Sequence, residues 1–235
     1  MGLIFTSFIY SIVFLLVTTK ELITTKYDHD IDQFMYFGGR LLHGELLWTK
    51  EFDDKSPVLQ YIFSLPAAFK NTSIFVLITL VISLIATYLG YLMLKDILQD
   101  SNLKINKQKQ NTILYFGSIL YLTLLACIYG SLHHINAISS SLCLITISIT
   151  YLNKEKKNIL LTNISAIISA ISISIRPYYL INIIVLPMWL RIREKTFITS
   201  KKREKKLKKN TGYLKSQTNW VLAIIFYIIL FNVTP

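Results

Sequence analysis

Cysteine is nearly absent from this chain. Only Cys127 and Cys143 occur, and both fall inside apolar blocks. No disulfide framework and no metal-ligand spacing can be built from them, and both read as small buried hydrophobes. Glycine and proline are scarce too, at eight and five residues in 235, which excludes collagen-like and low-complexity chains. Charged residues make up 16% of the sequence, and the acidic ones are the rarer kind, 13 Asp and Glu against 25 Lys and Arg. What the chain holds in quantity is apolar side chains, 53% of the whole.

The apolar residues are gathered into blocks near the roughly 20 residues that a helix needs to cross a bilayer about 30 Å thick. Seven blocks are predicted to span: 3–19, 73–94, 112–129, 135–152, 159–175, 179–190 and 220–233. The sixth is short and contains Pro187. The segment 58–69 is apolar as well, but it holds Gln60 and Pro66 and borders Lys70, so it reads as an interfacial helix. The alternating ten-residue pattern of a membrane barrel is missing, and in lipid only helices or closed barrels satisfy their own backbone. The expected fold is an all-α integral membrane protein. It is one polytopic domain over 1–235, with about seven transmembrane helices and interfacial helices in the first outer loop. The first block has no basic n-region and no A-x-A site, so it reads as a retained anchor.

Charge sets the orientation. With the N-terminus cytoplasmic, the inside loops 95–111, 153–158 and 191–219 hold most of the Lys and Arg. The outside segments 20–72, 130–134 and 176–178 are close to balanced and carry most of the acids. Lys20 and Lys26, just after the first block, go against this, but the asymmetry of the whole chain outweighs them. The expected location is a cell or inner membrane, with the first loop outside. The run "RIREKTFITSKKREKKLKKNTGYLK" (191–215) is basic enough to suggest nucleic acid, yet its aromatics are sparse. A basic cytoplasmic loop that orients a membrane protein and rests on anionic lipid accounts for it, and no nucleic-acid partner is expected. Spans four and five are rich in small residues, with Ser165 and Ser169 a small-xxx-small pair suited to close helix packing.

The acids gather in "YDHDIDQFMYFGGRLLHGELLWTKEFDDKSP" (27–57). Within it Phe34, Phe37, Gly38, Leu41 and Leu42 share one helical face, and Gln33, Tyr36, Arg40 and His43 largely share the other. Gly44 suits the position that closes such a helix. A surface helix over 32–43 is expected, with Asp30 at or near its N-cap. Asp30 then has two readings, a cap for free backbone N–H groups or a carboxylate held at the membrane surface as a general base. "DHD" and "DID" also resemble the D-x-D of nucleotide-sugar enzymes, in which carboxylates hold a divalent cation. The pattern is too short to be specific, and a nucleotide sugar would have to be available on the outer face. No cofactor is expected, no protein metal site is assigned, and a divalent-cation requirement stays open without support from the sequence.

Other candidates surround this loop. Asp53 and Lys55 stand just before Pro57, where Lys55 suits a lipid phosphate or is an exposed turn charge. Arg176, in "RPYY", is either a bidentate phosphate ligand or a snorkelling residue at a span end. His133, His134 and Asn136 sit at a span mouth. Adjacent histidines point apart on a helix, so a joint metal site is not expected, while polar groups at that position count as site candidates.

The stretch "DIDQFMYFGGRLLHGELLWTKEFDDKSPVLQYIF" resembles the first outer loop of polytopic glycosyltransferases of the GT-C type, which include bacterial lipid-glycosylating and protein-mannosyltransferase-like families. Asp30, Phe34, Tyr36, Gly38, Leu41, Leu42 and Gly44 fall in step with that pattern, followed by Phe52, Asp53, Lys55 and Pro57. The departures are Trp48 for Tyr, Lys50 for an acid and Ser56 for Gly or Pro. The resemblance covers 27–69 in detail. It implies an inverting transfer of sugar from a polyprenyl-phosphate donor to a lipid, glycan or protein acceptor on the outer face. Asp30 would be the base or acceptor-orienting residue. Asp32, Asp53, Lys55, His134 and Arg176 would contact substrate, Lys55 and Arg176 supplying positive charge to the phosphate. Relatives are much longer, so the chain is also expected to be an N-terminal fragment, a split-gene half completed by a partner chain, or a minimal form. The alternative is a non-catalytic truncated protein or scaffold half. A lipid-linked-sugar transporter is disfavoured, because no acid or base lies deep in a span.

Overall fold

The computed structural model describes residues 29–45, 57–100, 106–128, 135–153, 158–180 and 225. Among them are six α-helices and no strand: α1 His29–Leu42, α2 Pro57–Ala68, α3 Ser73–Asp100, α4 Lys107–Ile128, α5 Ile135–Leu152 and α6 Ile159–Ile175, the last followed by a 3-10 turn, Pro177–Leu180. The chain is all-helical where described, as its sequence requires. Two helices are long and apolar enough to cross a membrane, over Ser73–Gln99 and Ile135–Leu152, and α6 is a shorter apolar helix. The span expected over 112–129 falls mostly within α4. The 3–19 span, nearly all of 220–233 and most of 179–190 lie outside the described residues.

α3 shows what kind of surface these helices make. Leu77, Val81, Ile85 and Tyr88 follow one another at helical spacing, and each is about half exposed or more. They form an apolar stripe along one face, while Thr79, Ser83 and Ala86 are fully buried on the other. A core helix of a water-soluble domain hides residues such as these. A contiguous exposed apolar stripe is costly in water and neutral in lipid.

The buried faces are held by small and hydroxylated residues. α3 packs on α5, and α5 packs on α6. Between them Ser141 is a hub: its hydroxyl donates to the Ala137 carbonyl at 2.7 Å and accepts from Tyr121 at 3.1 Å. Its proton is thereby committed, so Ser83 of α3 is the donor in the 3.0 Å bond between the two serines. Ser172 of α6 donates across to the Ser139 carbonyl of α5 at 2.8 Å. Ser165, Ala166, Ser169 and Ala170 are buried. These are the small residues expected to let backbones approach in lipid. The α5–α6 connection is closed by Asn153, which donates to the Asn158 carbonyl and accepts from the Asn158 N–H, both at 2.9 Å. Asn158 in turn caps α6, accepting from the Leu160 N–H at 2.9 Å.

Candidate functional site: a cleft at one end of the bundle

α1 is amphipathic and buries the face its periodicity defines. Ile31, Phe34, Phe37 and Gly38 are buried, while Asp32, Tyr36 and His43 are exposed. Leu42, expected on the apolar face, is exposed instead. The helix is closed by a Schellman motif: Gly44 has φ 76°, its N–H reaches the Leu41 carbonyl at 3.0 Å, and the Glu45 N–H reaches the Arg40 carbonyl at 3.1 Å.

α1 and α2 touch backbone to backbone. A Cβ placed on Gly38 would stand 2.5 Å from the carbonyl carbon and oxygen of Phe63. Only glycine allows that approach. The close crossing brings the Phe34 and Phe63 rings to 5.1 Å, and Phe63 stacks on Phe75 of α3 at 4.4 Å. These rings belong to one buried cluster with Ile135 and Ile138 of α5 and Ile175 of α6. The two surface helices therefore sit over the end of the bundle where α3 and α5 begin and α6 finishes.

α2 ends in a second Schellman motif. The Lys70 N–H reaches the Ala67 carbonyl at 3.0 Å and the Asn71 N–H reaches the Pro66 carbonyl at 3.1 Å. Here the left-handed residue is Lys70, at φ 50°. A lysine in that conformation costs about 1–2 kcal/mol that glycine would not. Asn71 then starts α3, its side chain accepting from the Ser73 N–H at 2.9 Å.

Between the polar face of α1 and this turn lies a cleft of about 600 Å³, lined by Asp32, Tyr36, Arg40 and His43 on one side and Lys70 and Asn71 on the other. Its size suits a small ligand or headgroup. Arg40 is committed to Glu45, its Nε donating to the carboxylate at 2.7 Å, and it lies over the Tyr36 ring at 5.6 Å. Lys70 makes no ion pair among the described residues. One carboxylate, two cations, an imidazole, an amide and a half-exposed aromatic ring thus face one cavity. Phosphate can be met by the cations and sugar hydroxyls by the carboxylate and amide.

Of the residues singled out from sequence, Asp32 lines this cleft. Asp30 lies one residue into α1, whose first turn starts at His29, so it is a first-turn residue and not the N-cap. Its side chain, and Asp53, Lys55 and His134 altogether, lie outside the described residues. Arg176 follows α6 as its C-cap, and its Nε donates to Asn136 Oδ1 at 2.5 Å. The Tyr178 hydroxyl donates to the same oxygen at 3.3 Å. That group is at the same end of the bundle as α1, but it does not line the cleft. From sequence, Arg40 and His43 stand only on a polar face, Tyr36 on that face and in the family resemblance, and neither Lys70 nor Asn71 is a site candidate. No group of three or more His, Cys, Asp or Glu gathers among the described residues. Comparison with protein-family models, curated proteins and solved structures gives no match to this chain.

Proposed function

We propose that the chain is a membrane glycosyltransferase that uses a polyprenyl-phosphate-linked sugar and works at the outer face. The observation that carries the reading is the cleft between α1 and the α2–α3 turn, which gathers cationic, carboxylate and amide side chains at one end of an apolar bundle. The apolar stripe on α3 supports a lipid setting. Gly38 and Phe34, two residues of the resemblance to GT-C enzymes, hold α1 against α2, and a third, Gly44, closes α1.

In this reaction the acceptor hydroxyl gives its proton to the Asp30 carboxylate as its oxygen attacks the anomeric carbon. The bond from that carbon to the phosphate oxygen breaks, and the polyprenyl phosphate leaves with the electron pair. Asp30 is the base because a hydroxyl is a poor nucleophile until its proton is taken. The leaving phosphate needs positive charge and not a proton, which Lys55 and Arg176 supply. His134, Asp32 and Asp53 bind substrate.

The test is Asp30→Asn, assayed in membranes of the source cell so that any partner chain is present. Asn fits a first helical turn, so the fold and donor binding are expected to hold while sugar transfer falls about 10²–10⁴-fold. Near-normal transfer by this variant removes the catalytic role.

A further inference from the structure

We infer that the cleft is the seat of the phosphorylated headgroup of a lipid, and that Lys70 is a cation of the cleft that meets the phosphate, in addition to Lys55 and Arg176 proposed above. In naming a lipid-linked sugar phosphate the inference rests on the function proposed above. The site itself rests on geometry.

The first ground is the backbone. Lys70 occupies the left-handed position of a Schellman turn, where glycine is the low-cost residue. A left-handed lysine where glycine would fit points to a use for its side chain, since strained conformations gather at binding and switch positions. The second is the cavity. Lys70 lines a cleft of about 600 Å³ and has no acidic partner among the described residues, whereas Arg40, across the cleft, is already held by Glu45. The third is the remaining lining. Asp32 would repel a phosphate beside it, but it suits the hydroxyls of an attached sugar, as do Asn71 and the exposed Tyr36 ring. Lys70 at one wall and Asp32 at the other divide the cleft into a phosphate end and a sugar end. The fourth is Gly39, which also lines the cleft and whose added Cβ would meet nothing within 4 Å. This wall is open where a bulkier residue would close it.

The experiment uses the full chain in micelles of an uncharged detergent. Three ligands are titrated: a short-chain prenyl monophosphate, inorganic phosphate, and phosphatidylglycerol. Saturable binding of the prenyl phosphate is expected. It should weaken about tenfold or more in Lys70→Gly and in Lys70→Asn, which tolerates the same backbone, and persist in Lys70→Arg. Gly39→Leu, which fills the cleft without removing any charge, should weaken it too. Lys70→Gly should also raise the melting temperature, because it relieves the strained backbone. Weaker binding together with higher stability is a combination that a purely structural lysine does not give. Inorganic phosphate competing with the same dependence on Lys70 supports a phosphate site and shows that the free ion suffices. Phosphatidylglycerol binding as tightly as the prenyl phosphate overturns the headgroup assignment in favour of ordinary bilayer lipid. Prenyl phosphate binding unchanged by both Lys70→Gly and Lys70→Asn overturns the site. Sugar transfer is not read here, so the outcome for Asp30→Asn bears on the reaction and leaves the cleft to stand or fall separately.

Discussion

Replacing Gly38 with alanine adds one methyl group at a place where the neighbour is backbone. The added carbon would lie 2.5 Å from the Phe63 carbonyl carbon and oxygen, against a normal separation of about 3.5–4.0 Å. Backbone atoms cannot rotate away, so α1 must withdraw from α2 by about 1 Å. Overpacking of this kind costs about 1–3 kcal/mol, and the rigid neighbour places it near the upper end. Withdrawal also loosens the Phe34–Phe63 ring contact. Against this, alanine improves a helix interior by about 1 kcal/mol over glycine. The net expectation is a loss of about 2 kcal/mol. Gly39 is the internal control. It sits in the same helix, and an added Cβ there meets nothing, so Gly39→Ala should gain about 1 kcal/mol. Hydrogen–deuterium exchange of the peptide covering 31–42 reads the local opening directly. It should speed up about thirtyfold in Gly38→Ala and slow about fivefold in Gly39→Ala. Equal behaviour of the two variants would refute the close crossing of α1 and α2.

Two further outcomes are expected. Asn136→Leu removes the oxygen that accepts from both Arg176 and Tyr178. It should destabilise the protein by about 2 kcal/mol in thermal unfolding, whereas Asn136→Asp, which keeps an acceptor for Arg176, should stay near the starting stability. Topology follows from the loop charges. With Cys127 and Cys143 replaced by serine, a cysteine at position 70 should react with an impermeant maleimide in sealed cells and one at position 108 should not; the reverse pattern would sink the outer-face donor argument.

α1 was legible because its pattern is redundant. Phe34, Phe37 and Gly38 mark the buried face, and Gly44 marks the end. α5 and α6 match their expected limits because polar connections and asparagines bound their apolar runs closely: Asn153 and Asn158 hold the turn between them. α3 and α4 are longer than their apolar blocks. α3 runs past residue 94 through Lys95 and Asp96 to Asp100, and α4 starts at Lys107, before the expected 112. Hydropathy measures what lipid tolerates, while helical hydrogen bonding continues into polar residues until something stops it. Ahead of α4 that is Asn106, whose side chain accepts from the Gln108 N–H at 3.3 Å.

The site was half legible for a related reason. A polar face on α1 can be read from spacing, and it supplied Tyr36, Arg40 and His43, while Asp32 came from the family resemblance. The opposite wall depends on a left-handed residue, and sequence signals that conformation through glycine. Lys70 gives no such signal, so the turn that completes the cleft was invisible. Leu42 was misassigned because periodicity alone does not show that the last residue of α1 is left exposed.

The shared cluster beneath the two surface helices also fixes an order of events during synthesis. α1 and α2 leave the ribosome before α5 and α6, yet the seat they rest on is finished by Ile135 and Ile138 of α5 and by Ile175, the last residue of α6. Until α5 and α6 have been made, the described part of this cluster consists of residues of α1, α2 and α3, with Phe75, Ile78 and Ile82 of α3 packed beside Phe34 and Phe63. The early helices must therefore wait with their apolar faces partly uncovered, the kind of exposed intermediate that folding chaperones and insertion machinery shield. Termination of translation before residue 135 leaves the cleft without the α5 and α6 part of its foundation, however completely its own lining residues have been made.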